Sequence, residues 1–550
     1  MFFLSSILLT NFYIFFYGKI IKKFFFRDQQ ISNSELGIYG GIFVSFLALL
    51  INFFFPLNKL VCTIVFIIPF LFLLKKNLIT KNDIIFILLS SLLTIIILAY
   101  GRINTPDAGL YHLPYTQTIN ENKIILGLGN VHSRFSHISI LQYLSAINYN
   151  YFFGINGILI PAATIVIFCI IYFISSCYNF TKQGSSFSIK NFFDHGVLIY
   201  IAYKINRYSG FGNDAIPHLL FFYLLSIFLS SKEDFINLYR STLISVFIFL
   251  NKITLGLSFL LPFYIFIKNK EKRLKIFFSF PALFLLLWLI KNFLVSGCII
   301  FPIEKTCTKN LLWSNYNQAI KQNISGEAWS KDWPNRKNFN LDQKEFIKDF
   351  RWIDAWLNNH FKFIFKIITP YIIFIIILIL FINYFKIEKF QKTYFYKFNI
   401  QKVIYILSVL VLSNIIFFLK FPLYRYGYSY LISLIILISS IFIFRYDRKF
   451  LNYLFKSLII ICLIAFCTKQ FLRIYKNFNT SDIWPGIYSF LPNKVDFDPK
   501  EIVLSNKFKI YTKNKECMYN KYNFSPCTNN FTNILRHKKI NSYDIIFLED

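Results

Sequence analysis

Charge is what this chain has little of. Asp, Glu, Lys and Arg make up only 16% of its 550 residues, against 56% hydrophobic and 20% aromatic residues. A soluble chain of this length forms several domains, each with a polar surface to cover, and that much polar sequence is not present. Apolar runs of about 16 to 23 residues recur instead, the length a helix needs to cross a hydrocarbon core. Acids are scarcer still, with 27 Asp and Glu against 59 Lys and Arg, a formal charge of +32. The excess does not point to nucleic acid. The cations fall in short segments between apolar runs, as positive-inside loops do, and not on one soluble face.

Other absences narrow the function. No Walker-type glycine loop, Rossmann fingerprint or zinc-protease helix occurs. The Gly127-x-Gly129 pair opens no helix of a βαβ unit, which sets a nucleotide motif aside. No internal repeat is evident, so the inverted-repeat signature of many transporters is missing. The run from Met1 to Tyr17 lacks a basic leader and a small-residue cleavage site, and is expected to stay as a first helix with an external N-terminus.

What is there reads as an all-α polytopic transmembrane helix bundle of about 14 spans. Residues 1–468 form the membrane domain and 469–550 a small extracytoplasmic α+β tail. Lys19, Lys22, Lys23 and Arg27 mark one cytoplasmic loop; Lys268, Lys270, Lys272, Arg273 and Lys275 mark the strongest. Alternation from these puts residues 101–138 and 291–360 outside as two outer loops, with both termini outside. In the first, Leu113 to Glu121 and His137 to Ile147 are expected as short helices lying at the membrane surface. Lys252 sits at the outer end of a tight hairpin between two short apolar runs.

Cysteine use is read independently of charge. Cys62, Cys169, Cys177, Cys462 and Cys467 lie in apolar runs or at their ends, where free thiols behave as small hydrophobes. Cys298 with Cys307, and Cys517 with Cys527, form two local pairs in segments that charge had put outside, where disulfides persist.

The chemistry-bearing stretch is Gly101 to His137, which holds three of the seven histidines. Polar, ionisable sequence between two membrane spans is a functional-site hypothesis. Asp107, just beyond a span and followed by Ala-Gly, is a candidate base that accepts a proton from an attacking hydroxyl. It is equally a helix N-cap for the segment starting near Gly109. Tyr111-His112 and His132-x-Arg134 favour chemistry, because a cap does not need them. Arg102, His112, His132 and Arg134 suit a phosphate, or for the histidines a metal; the plainer reading is headgroup contact. Lys252 and Arg425, at outer helix ends, either hold a carrier phosphate or snorkel to the headgroups. Asp214 is a second acid, a metal ligand or a turn residue.

Asp107-Ala-Gly-Leu-Tyr-His112, with Gly127-Leu-Gly-Asn130 and His132-Ser-Arg134, resembles an uncharacterised bacterial family of multi-pass membrane proteins. That family carries a first loop of the form D-x-G-L-Y-H … P-G-L-x-N-x-H-x-R. Lys291 to Cys298, Phe301-Pro302, Cys307, Arg425-Tyr-Gly427 and Cys517 … Pro526-Cys527 resemble its later pieces. Its layout is similar to the GT-C superfamily of polyprenyl-phosphate-sugar glycosyltransferases. The resemblance implies an acid in the first external loop acting as base or beside a metal, here Asp107, and a basic residue holding the lipid phosphate. Many such loops carry paired acids, whereas residue 108 is Ala, so a divalent metal is left open. Leu126 stands where the family has Pro.

The expected function is transfer of a sugar from a polyprenyl-phosphate donor to an envelope acceptor at the outer face of a bacterial inner membrane. An envelope glycan polymerase or ligase is the alternative within the same chemistry, and would centre on Arg and His of the later loop, where Arg336, Arg351 and His360 lie. A transporter or flippase is the alternative without chemistry, and would need ionisable residues buried mid-span.

Overall fold

Two capping boxes start the helices at one end of the bundle. Ser32 and Glu35 cap Asn33–Phe54, and Thr80 and Asp83 cap Lys81–Leu98, each side chain answering the other's backbone N–H. Asp83 also takes Lys19 of the first helix, Phe2–Phe25, at 2.5 Å. Phe2–Phe25 and Asn33–Phe54 then run almost in backbone contact. A Cβ on Gly18 would strike the Leu36 carbonyl oxygen, and one on Gly40 the Ile14 carbonyl oxygen. Small residues at such a seam let two apolar helices pack through their backbones.

This computed structural model describes residues 2–26, 29–72, 79–101, 107–183, 188–204, 211, 214–230, 232–269, 273–384, 400–440, 442, 448–478, 499–505, 508–513, 517, 524–529 and 534–549. They are mostly helical. Among them seven helices are long and apolar enough to cross a membrane: Phe3–Phe25, Asn33–Phe54, Lys81–Leu98, Gly154–Lys182, Ile353–Ile382, Ile400–Lys420 and Asn452–Asn477. Five shorter apolar helices, Lys59–Leu71, Ala215–Ser230, Phe235–Asn251, Ile253–Lys268 and Phe280–Ser296, pack among them. Gly154–Lys182 is the axis of the bundle at 89% buried, whereas Ile353–Ile382, Ile400–Lys420 and Asn452–Asn477 are only 28% buried and form its rim. Ile376, Ile377, Ile415, Ile460 and Phe471 are among the large apolar side chains that the rim exposes. An apolar surface of that extent is one that lipid or a partner covers.

The expected hairpin at Lys252 is present: Phe235–Asn251 ends there and a 3₁₀ segment, Ile253–Phe259, leads into Leu260–Lys268. The later polar loop starts further on than the sequence suggests. Phe280–Ser296 is one helix closed by Gly297 at φ 75°, so Lys291 lies within it.

The first loop also departs from its surface reading. Leu113–Glu121 is a helix, but everything from Leu113 to Asn120 is buried, and so is all of Ile140–Ala146. The Asn120 amide donates to the carbonyls of Leu57 and Ala146 at 2.6 and 2.9 Å, and so ties this helix to two other parts of the bundle. These are packed pieces of the bundle.

Among the described residues beyond 499 the tail is stranded and holds no helix. The helix Arg448–Asn477 belongs to the bundle. Strands β1 (Lys500–Ser505) and β2 (Phe508–Thr512) pair antiparallel, and β3 (Cys527–Thr528) joins β2 in parallel. Strands β4 (Leu535–Ile540) and β5 (Tyr543–Leu548) make a hairpin. His537 ties the two sheets, bonding Ser505 Oγ at 2.9 Å through Nδ1 and Asp544 at 3.0 Å through Nε2.

The tail lies on the first loop. Leu126 N–H donates to the Asp544 carbonyl, and Ile546 N–H donates to the Leu126 carbonyl, both at 2.9 Å. Gly127, at φ 69°, passes directly beneath the Ile546 carbonyl, where a Cβ would collide. Its glycine is a docking requirement. Both expected disulfides are formed, Cys298–Cys307 and Cys517–Cys527. Of the remaining cysteines, Cys62, Cys169, Cys177 and Cys462 are buried and Cys467 is exposed.

Candidate active site

Asp107 opens a single π-type turn, Ala108–His112, and its side chain makes no capping hydrogen bond. The cap alternative is therefore not what this residue does. Its carboxylate faces Arg425, with Oδ2 at 3.7 Å from Nη1 and both side chains about half exposed. That separation exceeds hydrogen-bond length, so the guanidinium is shared and not locked.

Arg425 comes from the first turn of the helix Tyr424–Ser440. A cation there opposes the positive end of the helix dipole, so local rules alone do not favour it. Two groups from elsewhere in the fold fix that turn. Lys252 Nζ and His218 Nε2 reach the Arg425 carbonyl oxygen at 2.5 and 3.0 Å. His218 Nδ1 bonds Ser429 Oγ at 2.7 Å, and its ring stacks on Tyr428. The Arg425 guanidinium bonds the Tyr426 hydroxyl at 3.2 Å.

Lys252 is buried and bridges to Asp214, Nζ to Oδ1 at 2.5 Å. Burial works to raise the Asp214 carboxyl. The charge and hydrogen bond of Lys252, with Arg425 and His218 beyond, outweigh it and hold the group at about 2. Asp214, in the bend just before the helix Ala215–Ser230, is thus the counter-ion of Lys252.

The three histidines form the next layer. His112 Nδ1 lies 2.8 Å from the Gln142 amide, and its ring is buried beside Tyr111 and Phe211. Burial, then the charges of Arg134 and Arg425, push it down to about 3 against the pull of Asp214. His132 Nδ1 accepts the Arg134 backbone N–H at 3.1 Å, and burial with Arg134 lowers it to about 4. His137 stacks flat on Phe301 and is pushed down to about 3 by burial, then Arg134, His112, Lys291 and His132. All three are neutral donors and acceptors at physiological pH. Tyr111 links the layers. The Arg134 guanidinium sits over its ring at 5.7 Å, and burial first, then Asp107, raises its hydroxyl.

Asp107, Asp214, Lys252 and Arg425 therefore meet directly, and His112, His132 and Arg134 adjoin them through Tyr111. Arg102 lies outside the described residues. His218 and Gln142 join the site without a mark in the sequence, while Tyr426 joins it as the direct neighbour of Arg425. The Arg-Tyr-Gly motif was the available signal for Tyr426, but nothing local marks His218 as reaching another helix. In the later loop, Arg336 is held over the Trp333 ring and by two carbonyls, Arg351 approaches Asp349, and His360 approaches Asp332. Each is engaged within its own loop.

Metal does not suit this donor set. Asp107 and Asp214 each face a cation, and among the described residues no three His, Cys, Asp or Glu side chains gather to hold an ion.

The fold and site define a class: a helical chain built to lie in a membrane, with a cation-lined carboxylate where its polar loops converge. A family model described as a domain of unknown function (DUF8201) matches residues 1–432, and the chain belongs to that family. The match takes in Asp107, Asp214, Lys252 and Arg425, while the β tail lies beyond it. No curated protein and no solved structure matches the chain.

Proposed function

We propose that this chain is a membrane glycosyltransferase of GT-C type. It moves a sugar from a polyprenyl-phosphate donor to an envelope acceptor at the outer face of a bacterial inner membrane. About 14 spans, with both termini outside, complete the picture. The observation that carries the reading is Asp107, uncapped and exposed beside a guanidinium that it does not lock.

The chemistry follows from charge. A donor phosphate at the Tyr424–Ser440 N-terminus meets Arg425, backbone N–H groups and the nearby Lys252. As Arg425 turns to the phosphate, Asp107 is released. Its carboxylate takes the acceptor hydroxyl proton, and that oxygen attacks the anomeric carbon. The bond from anomeric carbon to phosphate oxygen breaks, and the phosphate keeps the electron pair. Stabilising that leaving charge is the largest rate contribution. The seat of cations against a helix dipole is the kind of local-rule violation that function explains.

The test is transfer of a tritiated hexose from polyprenyl phosphate in membranes that contain the chain. Asp107→Asn is expected to lower transfer by about 10²- to 10⁴-fold with unchanged expression and insertion. Transfer at the wild-type rate removes Asp107 from the mechanism and this reading with it.

A further inference from the structure

Beside the carboxylate site the first loop and the helix Tyr316–Ser330 enclose a cavity of about 370 Å³. That is within the range of small-molecule sites. Asn130, His132 and Ser133 line it from the loop; Asn317, Gln318 and Gln322 are among those lining it from the helix. The helix residues fall at spacings of one, four and five, which places them on one face. Every lining side chain but Val131 is polar, and none is a carboxylate.

The lining sets what fits. Asn130, Asn317, Gln318 and Gln322 bring amides, Ser133 a hydroxyl, His132 an imidazole and Lys321 an amine. Asn130 is 8% exposed and held in place, its Nδ2 donating to the carbonyls of Trp313 and Ile546 at 3.0 and 3.1 Å. Asn and Gln amides both donate and accept, which matches a ligand whose hydroxyls do the same.

We infer that this cavity is a sugar site. Resting on the transferase reading, it receives a glycosyl unit of the acceptor. His132 joins the two sites, since it lines the cavity and stacks toward Tyr111, 6.4 Å between centroids.

Saturation-transfer NMR on the purified full chain in nanodiscs tests this with methyl glucoside, methyl galactoside and N-acetylglucosamine, and with inorganic phosphate as the anionic comparator. At least one sugar is expected to bind, and Gln318→Leu with Gln322→Leu to weaken it about tenfold. Lys321→Met, at a further lining position on the same helix face, serves if the double variant folds poorly, with weaker sugar binding again expected. No sugar bound, phosphate bound in place of sugar, or affinity unmoved by the variants overturns the inference. Sugar binding that needs Gln318, without transfer by the wild type, keeps the cavity as a sugar site and removes the transferase reading. Transfer in the double variant at an unchanged half-saturating level of acceptor extract removes the acceptor site alone.

Discussion

Two lysines lie beside asparagines, Asn251-Lys252 at a helix end and Lys291-Asn292 within a helix, and the fold treats them oppositely. Lys252 is 9% exposed and paired, with Asp214 and the Arg425 carbonyl both at 2.5 Å. Lys291 is 0% exposed, and its Nζ has no hydrogen-bond partner among the described residues; the Trp288 ring lies 5.4 Å away. Burial is the same, compensation is not. A buried cation given an acid and a carbonyl holds other groups in place, here the turn that carries Arg425. A buried amine given only an aromatic face carries a desolvation cost that nothing nearby offsets.

The largest effect is expected where compensation is removed. Lys252→Met leaves Asp214 without its cation and frees the Arg425 carbonyl. Breaking a fully buried pair costs about 3 to 5 kcal/mol; because Asp214 is half exposed, about 2 kcal/mol is expected here. Transfer should fall about 10²-fold, since small displacements of a positioned group cost that much. Thermal unfolding and the hexose assay check both. A Lys252→Met protein as stable and active as the wild type would make the pairing incidental.

Lys291→Met sharpens the contrast with the opposite sign. The volume is nearly kept and an uncompensated polar group is removed, so stability should rise by about 1 kcal/mol. A higher melting temperature is the expected readout. A loss instead would show that Lys291 has a partner in the working protein.

The sequence made one of these lysines legible and not the other. Lys252 fell between two short apolar runs, where a hairpin end was the natural reading, and the hairpin is there. Lys291 followed an apolar run and was read as the start of a loop, because periodicity does not mark where a helix stops; Gly297 does, six residues on. Composition and run length gave the helical membrane class, and charge alternation with cysteine spacing anticipated both disulfides. Leu113–Glu121 was visible as a helix, but its burial was not. Asn120 gets its partners from Leu57 and Ala146, contacts that no window along the chain contains. The same holds for the site. Asp107 and Arg425 each stood out locally, while the tie from Lys252 to Asp214 and the reach of His218 exist only once the helices are packed.

The smallest effect separates the two kinds of buried group by pH. His112, His132 and His137 have folded values of about 3, 4 and 3, below their ordinary 6.5. The unfolded chain therefore takes up protons first as pH falls. Their contribution is fully present above 6.5 and is lost progressively below it. Asp214 sits at about 2 against an ordinary 3.8, so what it contributes is lost only below that. Between pH 6.5 and 4 the histidine layer should loosen while Asp214 stays ionised. At pH 5.5 the loss is expected on the order of 1 kcal/mol per ring. Hydrogen exchange resolves it: protection in residues 108–140 should drop across this window, and protection in 215–251 should hold. Equal loss in both would mean that the histidine layer and the Lys252 pair open as one unit, and the contrast between them would no longer stand.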